Sequence, residues 1–228
     1  MSHEIEQIVA RYVRRNAIPA DRYNPLAPAN CAARQEKERA FVRWIRDCHI
    51  APLASKRLLE IGCGSGTNFL EFLRLGFRAE NMVGNDLLPE RVRAARAILP
   101  PALRITEGNA LELDEASFDV VFQSTVFTSI LDPTFQQALA DRMWNWVTLG
   151  GGVLWYDFIV DNPANPDVKG IPLTRIRRLF PHGRMKHWRI TLAPPISRCV
   201  TRAHPALYSL FNILPALRTH VLCWIRKV

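Results

Sequence analysis

The stretch Arg57-Leu58-Leu59-Glu60-Ile61-Gly62-Cys63-Gly64-Ser65-Gly66-Thr67-Asn68-Phe69-Leu70 decides the fold of this 228-residue chain. It predicts a short apolar strand, a glycine turn and the first turn of a helix. Glycine has no Cβ, so its backbone can adopt positive φ and approach a ligand closely. A helix that begins at such a turn presents free N–H groups and the positive end of its dipole. The stretch therefore predicts a site for a nucleotide-like ligand with an anionic group.

The spacing of the glycines separates two kinds of nucleotide site. A dinucleotide turn reads Gly-x-Gly-x-x-Gly/Ala, and its third small residue lets the helix pack on the strand. Counted from Gly62, that position is Thr67, and the third glycine comes one residue early at Gly66. An acid, Glu60, stands two residues before the first glycine. The pattern disfavours a NAD-dependent enzyme, which stays open as an alternative.

The pattern Glu-x-Gly-x-Gly-x-Gly resembles motif I of the class I S-adenosylmethionine (SAM)-dependent methyltransferases. The resemblance implies an α/β fold, Rossmann-like and doubly wound, with a mostly parallel seven-stranded sheet and helices on both faces. It also implies SAM as the cofactor. In that family the acid, here Glu60, helps to position the methionine end of the cofactor, and the glycines pass under it.

The rest of the chain alternates strands and helices, as a parallel-sheet protein should. Two helices precede the first strand, so we expect a helical cap at 1–50 and a SAM-binding domain at 51–228. Three consecutive glycines at 150–152 predict a helix C-cap and a sharp reversal before the fifth strand. Further strands are predicted at 81–86, 103–106, 118–123, 153–158, 186–192 and 219–227, with helices at 2–17, 30–48, 133–147 and across much of 196–214.

Several side chains fall where a cofactor would need them. Asp86 ends the second predicted strand, where an acid bonds ribose hydroxyls in related folds; its alternative is a helix N-cap ahead of Pro89. Asn109 resembles the family residue that flanks the adenine, although it also suits an ordinary loop. Gln123 would face the methionine portion. The implied cofactor contacts are Glu60, Gly62, Cys63, Gly64, Gly66, Asp86, Leu87, Asn109, Ala110 and Gln123.

The polar segment 156–167 follows the fifth predicted strand, at the edge where substrate loops of this fold lie. Methyl transfer is an in-line displacement that needs an aligned nucleophile and sometimes the removal of a proton. The candidate catalytic residues are Asp157, as base, and Tyr156, with His182 and His187 as rival bases. Asx-type turns and simple packing are the structural alternatives for such residues. The candidate substrate contacts are Tyr23, Ser124, Asn162 and Asn165.

The net charge of +9 is unevenly distributed, because residues 168–228 contain twelve Lys and Arg and no Asp or Glu. Such a field suits a phosphorylated substrate, an anionic membrane or nucleic acid, or it is a solvated surface without a partner. Nucleic acid is disfavoured, because the fourth predicted strand lacks the Asn/Asp-Pro-Pro-aromatic signature of base methyltransferases.

The apolar segment 196–214, near Arg198, Arg202 and Arg218, has three interpretations: burial, a homodimer contact and a peripheral membrane contact. We favour the first two.

The cysteines are odd in number and scattered, and no pair has metal-ligand spacing. We therefore expect no metal site and a reducing compartment. Acidic Glu4 and Glu6 stand where a signal peptide would be basic. The sequence predicts a cytoplasmic protein that is at most peripheral to the inner face of a membrane.

Together these features predict a SAM-dependent methyltransferase with a small-molecule or glycan acceptor. The chain resembles the small bacterial methyltransferases of polysaccharide and secondary-metabolite pathways. That resemblance implies O-methylation, with an acceptor that is phosphorylated or lipid-linked. A non-catalytic SAM- or nucleotide-binding scaffold is the second class of function that the sequence leaves open.

Overall fold

The computed structural model describes residues 2–15, 22, 24–162 and 165–228. Within these ranges seven strands form one sheet in the order β3-β2-β1-β4-β5-β7-β6. Strands β1 to β5 are mutually parallel, and β7 runs antiparallel to its neighbours β5 and β6. The strands are β1 (Leu58–Ile61), β2 (Met82–Asp86), β3 (Arg104–Glu107), β4 (Phe118–Ser124), β5 (Val147–Phe158), β6 (Arg184–Leu192) and β7 (Arg218–Arg226).

Helices cover both faces of the sheet, which confirms the predicted fold class. Phe135 and Trp146 pack on one face, and Trp44, Phe69 and Phe72 pack on the other. Among the described residues, no helix is both long enough and apolar enough to cross a bilayer. The helices are α1 (Ser2–Arg15), α2 (Pro28–Asp47), α3 (Thr67–Leu75), α4 (Pro89–Ile98), α5 (Pro133–Trp146), α6 (Leu173–Leu179), α7 (Pro194–Ala203) and α8 (Leu207–Phe211).

Alternation along the strands decides which side chains share a face of the sheet. Ile61 and Trp155 belong to the core under α1 and α5, whereas Leu58 and Tyr156 belong to the core under α2 and α3. Glu60, two residues after Leu58, therefore lies on the α2 and α3 face. We call these the α5 face and the α2 face. The functional side chains at the carboxyl ends of the strands are divided between the two.

The three glycines at 150–152 lie inside β5, so the predicted helix cap at this position is wrong. Helix α5 ends at Trp146, and β5 begins at the next residue. A Cβ at Gly151 would lie 2.6 Å from the carbonyl oxygen of Asp119, and a Cβ at Gly152 would lie 2.7 Å from that of Ile225. The glycines are needed because neighbouring strands approach β5 from both sides at an irregularity in its pairing with β4.

The predicted helical segment 196–214 is two short helices, α7 and α8, separated at Pro205, which cannot donate a helical hydrogen bond. Tyr208 anchors α8 in the protein. Its buried hydroxyl donates to Oε2 of Glu36 on α2 at 2.6 Å and accepts from the Leu192 N–H at 3.3 Å. The Asn212 amide donates to the other oxygen of Glu36 at 2.6 Å. Two polar side chains thus fix α8 against α2.

Replacing Tyr208 by phenylalanine tests this anchor. The variant leaves a buried Glu36 oxygen without its donor, and such a loss costs about 1–3 kcal/mol. We expect the free energy of unfolding of Tyr208→Phe to fall by that amount in urea titrations followed by circular dichroism. The exposed neighbour provides the control, Ser209→Ala, which should stay within about 0.5 kcal/mol of the wild type. Overlapping curves for Tyr208→Phe and the wild type would show that the bond to Glu36 adds no stability.

Candidate active site

The turn between β1 and α3 has the left-handed backbone that its glycines predict. Gly62, Gly64 and Gly66 have φ values of +64°, +57° and +81°. A Cβ at Gly62 would lie 2.5 Å from Cγ2 of Val126, and a Cβ at Gly66 would lie 2.6 Å from Cδ1 of Leu99. The turn therefore excludes a side chain both at the sheet edge and where α4 packs against it.

A cleft that is open to solvent lies beside this turn at the carboxyl ends of the strands. Helices α1 and α5 contribute part of its wall, and the remaining residues come from the ends of β1 and β2 and from the loops after β3 and β4. The lining includes five predicted cofactor residues and three apolar residues of α1: Gly62, Asp86, Leu87, Asn109, Ala110, Ile5, Ile8 and Tyr12.

The carboxylate of Asp86 joins the glycine turn to the start of α4. Its Oδ2 accepts from the Gly64 N–H at 2.7 Å, and its Oδ1 accepts from the Leu88 N–H at 3.0 Å. The bond to Leu88 lies at the start of α4, so Asp86 acts much as a helix cap, which was the alternative to its predicted ribose contact. Because each carboxylate oxygen can accept two hydrogen bonds, Asp86 can hold the turn and still accept from a ligand hydroxyl. The ribose contact itself stays a prediction.

Glu60 is fully buried behind the turn, and one of its oxygens lacks a donor. Oε1 accepts from the Asn68 amide at 2.5 Å, and Asn68 in turn accepts from Nζ of Lys37 at 2.6 Å. Across the described part of the chain, Oε2 of Glu60 finds no hydrogen-bond partner. Burial raises the pKa of this carboxyl to about 8. An ammonium group of a ligand would satisfy the unpaired oxygen and favour the ionised form.

Comparison with known proteins agrees with this geometry. A family model described as a methyltransferase domain matches residues 58–151, which include the glycine turn, Asp86, Asn109 and Gln123. No curated protein matches the chain in sequence.

Solved methyltransferases share the fold at low identity. A TehB-like SAM-dependent methyltransferase from Corynebacterium glutamicum is 12% identical, with a TM-score of 0.57 and 100% of both chains covered. A putative sarcosine dimethylglycine methyltransferase from Galdieria sulphuraria is 13% identical, with a TM-score of 0.60, and the match covers 84% of this chain and 85% of that one. A SAM-dependent methyltransferase from Methanosarcina mazei is 15% identical, with a TM-score of 0.55 and coverages of 79% and 96%.

Residues 58–151 match a methyltransferase domain, and the chain shares the fold of solved SAM-dependent methyltransferases. Both findings support SAM as the cofactor. Within the described ranges, no group of three or more His, Cys, Asp or Glu side chains lies close enough to hold a metal ion.

Three predicted cofactor residues use their side chains inside the protein. Asn109 accepts from the Leu111 N–H and donates to Glu112, both at 3.1 Å, and so caps the 3-10 turn that follows it. The Cys63 thiol is buried in the core of the α2 face. Gln123 is fully buried and accepts from the Val126 N–H at 3.0 Å. These side chains stabilise the loops around the cleft, and their contacts with SAM stay predictions.

The predicted catalytic pair, Tyr156 and Asp157, does not converge on one point. The two are adjacent in β5, so their side chains lie on opposite faces of the sheet. Asp157 is fully buried on the α5 face, where it accepts from the N–H groups of Thr128, at 3.3 Å, and Phe158, at 3.1 Å. Burial raises its pKa to about 7. In this structure Asp157 stabilises the 3-10 turn Phe127–Ser129 beside the cleft.

Tyr156 instead belongs to a polar group that the sequence did not suggest. Its ring stacks on His220 of β7, with the ring centroids 5.2 Å apart, and Lys37 Nζ lies 5.7 Å from the Tyr156 ring. Its hydroxyl and that of Thr191 are 2.9 Å apart. His220 is half-buried, and burial lowers its pKa to about 4, so the imidazole is neutral at neutral pH. Because β7 runs antiparallel to β5, its first residues lie beside the carboxyl end of β5. An antiparallel last strand is therefore the sequence feature that could have placed His220 at this edge.

The structure describes three of the four predicted substrate residues. Tyr23 lies outside the described residues, and Ser124 ends β4 at the sheet edge. The Asn165 N–H donates to the Asn162 carbonyl at 2.9 Å. Asp167 pairs with Arg14 of α1 at 2.5 Å, so this part of the chain is attached on the α1 side.

Neither rival base lies at the carboxyl edge. His182 is exposed just before β6, whose first residues lie at the opposite edge of the sheet, since β6 is parallel to β5. His187 is exposed in the middle of β6. We therefore assign neither of them a role at the cleft.

Arginines from α1 and α4 give the wall of the cleft positive charge. The guanidinium carbons of Arg15 and Arg91 lie 4.5 Å and 4.3 Å from the centroid of the Tyr12 ring. Arg15 also donates to the Ser129 hydroxyl at 2.9 Å. The positive charge beside the cleft thus comes from the first half of the chain rather than from the acid-free segment 168–228.

Replacing Asp86 by alanine tests its role in cofactor binding. The loss of a charge-assisted bond costs about 1.5–3 kcal/mol, and the Gly64 N–H also loses its acceptor. We expect SAM affinity to fall at least about tenfold. In thermal unfolding, SAM at about a hundred times its Kd should raise the wild-type Tm by roughly 5–10 °C and the variant Tm much less. Asp114→Ala, at an exposed loop position, is the control. Unchanged affinity in Asp86→Ala would contradict the ribose assignment.

The pKa of Glu60 predicts how stability varies with pH. Folded protein keeps the Glu60 proton up to about pH 8, whereas the ordinary value is 4.5, so unfolding releases a proton between these values. Stability should therefore fall as the pH rises through this window. Asp157, with a pKa of about 7, contributes to this loss of stability only below about pH 7.

We accordingly expect cofactor-free protein to unfold more easily at about pH 8.5 than at about pH 6.5. Glu60→Gln should remove most of this difference, because glutamine carries no proton to release. Urea unfolding at both pH values measures it, and Glu107→Gln, at an exposed position, should keep the wild-type slope. A slope that persists in Glu60→Gln would mean that Glu60 is already ionised in the folded protein.

Proposed function

We propose that this methyltransferase methylates a hydroxyl group of a small anionic acceptor, such as a phosphorylated sugar or a lipid-linked glycan. The observation that carries the proposal is the neutral, half-buried His220 at the carboxyl edge of the sheet, stacked on Tyr156 and near Lys37.

The residues around the glycine turn fit SAM. The unpaired oxygen of Glu60 suits the ammonium group of the methionine portion, and the bare backbone at Gly62 leaves room beside it. Asp86 and the apolar wall from α1 suit the adenosine portion. When bound, SAM supplies a methyl group on a positively charged sulfur, which a nucleophile attacks in line. The protein's tasks are then to orient the acceptor and, for a hydroxyl, to receive its proton.

The α2 face supports an acceptor site for this reaction. Glu60, Tyr156 and His220 share that face, and Lys37 spans them, with its ammonium bonded to Asn68 and close to the Tyr156 ring. An alcohol needs a base as it is methylated, whereas a neutral amine does not. His220 suits this task because its imidazole is neutral, and Nδ1 lies 3.0 Å from the Thr219 hydroxyl, which orients the ring. We assign the base role to His220 and a positioning role to Asp157.

Charge supports an anionic acceptor. Lys37, Arg15 and Arg91 lie around the cleft and the α2 face, and each is only partly engaged by the contacts described above. By contrast, Arg218, from the acid-free segment, donates to the carbonyl oxygens of Arg189 and Asn212 and so supports the backbone. A phosphate or carboxylate on the acceptor would pair with the first group of cations.

The test measures the release of S-adenosylhomocysteine from SAM in the presence of different acceptors. Each sugar phosphate is paired with its dephosphorylated form, and simple amines are tested beside them. We expect turnover with hydroxyl acceptors and a lower KM for the phosphorylated member of a pair. His220→Asn should lower kcat by roughly 10²–10⁴ and leave SAM affinity unchanged. His187→Asn is the matched control and should behave as the wild type.

Two results would contradict the proposal. Turnover confined to amines would make O-methylation wrong, and normal kcat in His220→Asn with a hydroxyl acceptor would remove His220 as the base. Binding of SAM without turnover on any acceptor would favour the non-catalytic scaffold.

A further inference from the structure

Helix α8 and the loop after it carry an exposed apolar surface, which we call the α8 surface (residues 207–216). Four large side chains dominate it: Leu210, Phe211, Ile213 and Leu214 are 58%, 36%, 66% and 55% exposed. The surface is therefore not buried, in contrast to one of the two interpretations that the sequence favoured. Clusters of exposed apolar side chains in one segment usually mark a contact with a partner or a membrane.

The charged residues of the segment that contains the α8 surface have one sign. From residue 168 to residue 228 the chain has no Asp or Glu. Arg202 is exposed at the end of α7, a few residues before α8. Glu36 of α2 contacts the α8 surface, but it is buried and accepts from Tyr208 and Asn212. An apolar surface in a basic, acid-free segment is complementary to a partner that is both apolar and negatively charged.

An anionic bilayer has both properties, since its headgroups attract arginine and its acyl region accepts apolar side chains. A symmetric dimer through the same surface is disfavoured. Twofold symmetry would bring the acid-free segments of the two copies together, arginines included, without a carboxylate from either segment to pair them.

The α8 surface is also fixed in place beside the sheet edge. Tyr208 and Asn212 hold it on α2, so its apolar side chains need no folding step before they contact a partner. The chain passes directly from this surface into β7, whose third residue is His220. A membrane bound here would lie on the side from which a lipid-linked acceptor reaches His220. Only this last step rests on the function proposed above.

We propose that the α8 surface docks the methyltransferase on anionic membranes, with Leu210, Phe211, Ile213 and Leu214 entering the bilayer interface and Arg202 facing the headgroups. Membrane binding then has an apolar contribution and an electrostatic contribution. Substitution of the apolar side chains removes the first, and substitution of Arg202 weakens the second.

Cosedimentation of the full chain with vesicles tests this. One set contains phosphatidylglycerol and phosphatidylcholine in equal amounts, and the other contains phosphatidylcholine alone. We expect binding to the anionic set that weakens with salt and little binding to the neutral set. The double variant Leu210→Ser/Ile213→Ser should bind at least about tenfold more weakly, and Arg202→Gln should reduce the salt dependence.

The matched control is Leu149→Ser, since Leu149 is 80% exposed near the start of β5, at the opposite edge of the sheet. It should bind as the wild type, and circular dichroism should show that all variants remain folded. Absence of vesicle binding, or equal binding by the double variant, would overturn the proposal. So would a dimer in analytical ultracentrifugation that the double variant dissociates, because the surface would then serve a second copy.

This experiment contains neither SAM nor an acceptor, so its outcome is independent of methyl transfer. Loss of vesicle binding with normal turnover on a soluble acceptor would contradict only the membrane surface. Vesicle binding without turnover would contradict only the function.

Discussion

The rest of the structure depends on a steric constraint in the turn from Gly62 to Gly66. The backbone there is left-handed, and a Cβ at Gly62 or Gly66 would collide with Val126 or Leu99. Because Asp86 accepts from the Gly64 N–H, the turn also fixes β2 and the start of α4. The bare turn thus leaves room beside a charged sheet edge, and Asp86, the predicted ribose contact, holds the turn in shape.

Alternation in the sheet then divides the work between two faces. The cleft opens under α1 on the α5 face, where Asp157 stabilises the turn Phe127–Ser129. Glu60, Tyr156 and His220 lie on the α2 face and are linked through Lys37. A ligand that crosses the edge at Gly62 can therefore have its apolar portion on one face and its charged end on the other. This division separates cofactor binding from the proposed acceptor chemistry.

Much of this arrangement was readable from local signals, and the rest was not. The glycine turn, the place of Asp86 and the alternation of strands and helices follow from residues close together in the chain. Alternation within β5 would have separated Tyr156 from Asp157, although the pair was predicted to act together. Tyr156 and His220 come together from β5 and β7, and Lys37 approaches the Tyr156 ring from α2. Glu36 and Tyr208, which are 172 residues apart, join α2 to α8. A contact between residues so far apart in the chain has no local pattern that predicts it. The same is true of the close approach of Asp119 and Ile225 to β5.

Burial gives the site a common electrostatic character. Glu60 and Asp157 have raised pKa values and His220 has a lowered one, so burial favours the neutral form of each. Burial of neutral groups has a smaller desolvation cost than burial of charged ones. One oxygen of Glu60 nevertheless remains without a hydrogen-bond donor among the described residues. A cationic ligand favours the ionised form of that carboxyl and supplies the missing donor. The proposed contact between Glu60 and the ammonium group of SAM would couple cofactor binding to the loss of a proton from Glu60, whereas His220, on the same face, is the proposed acceptor of a proton.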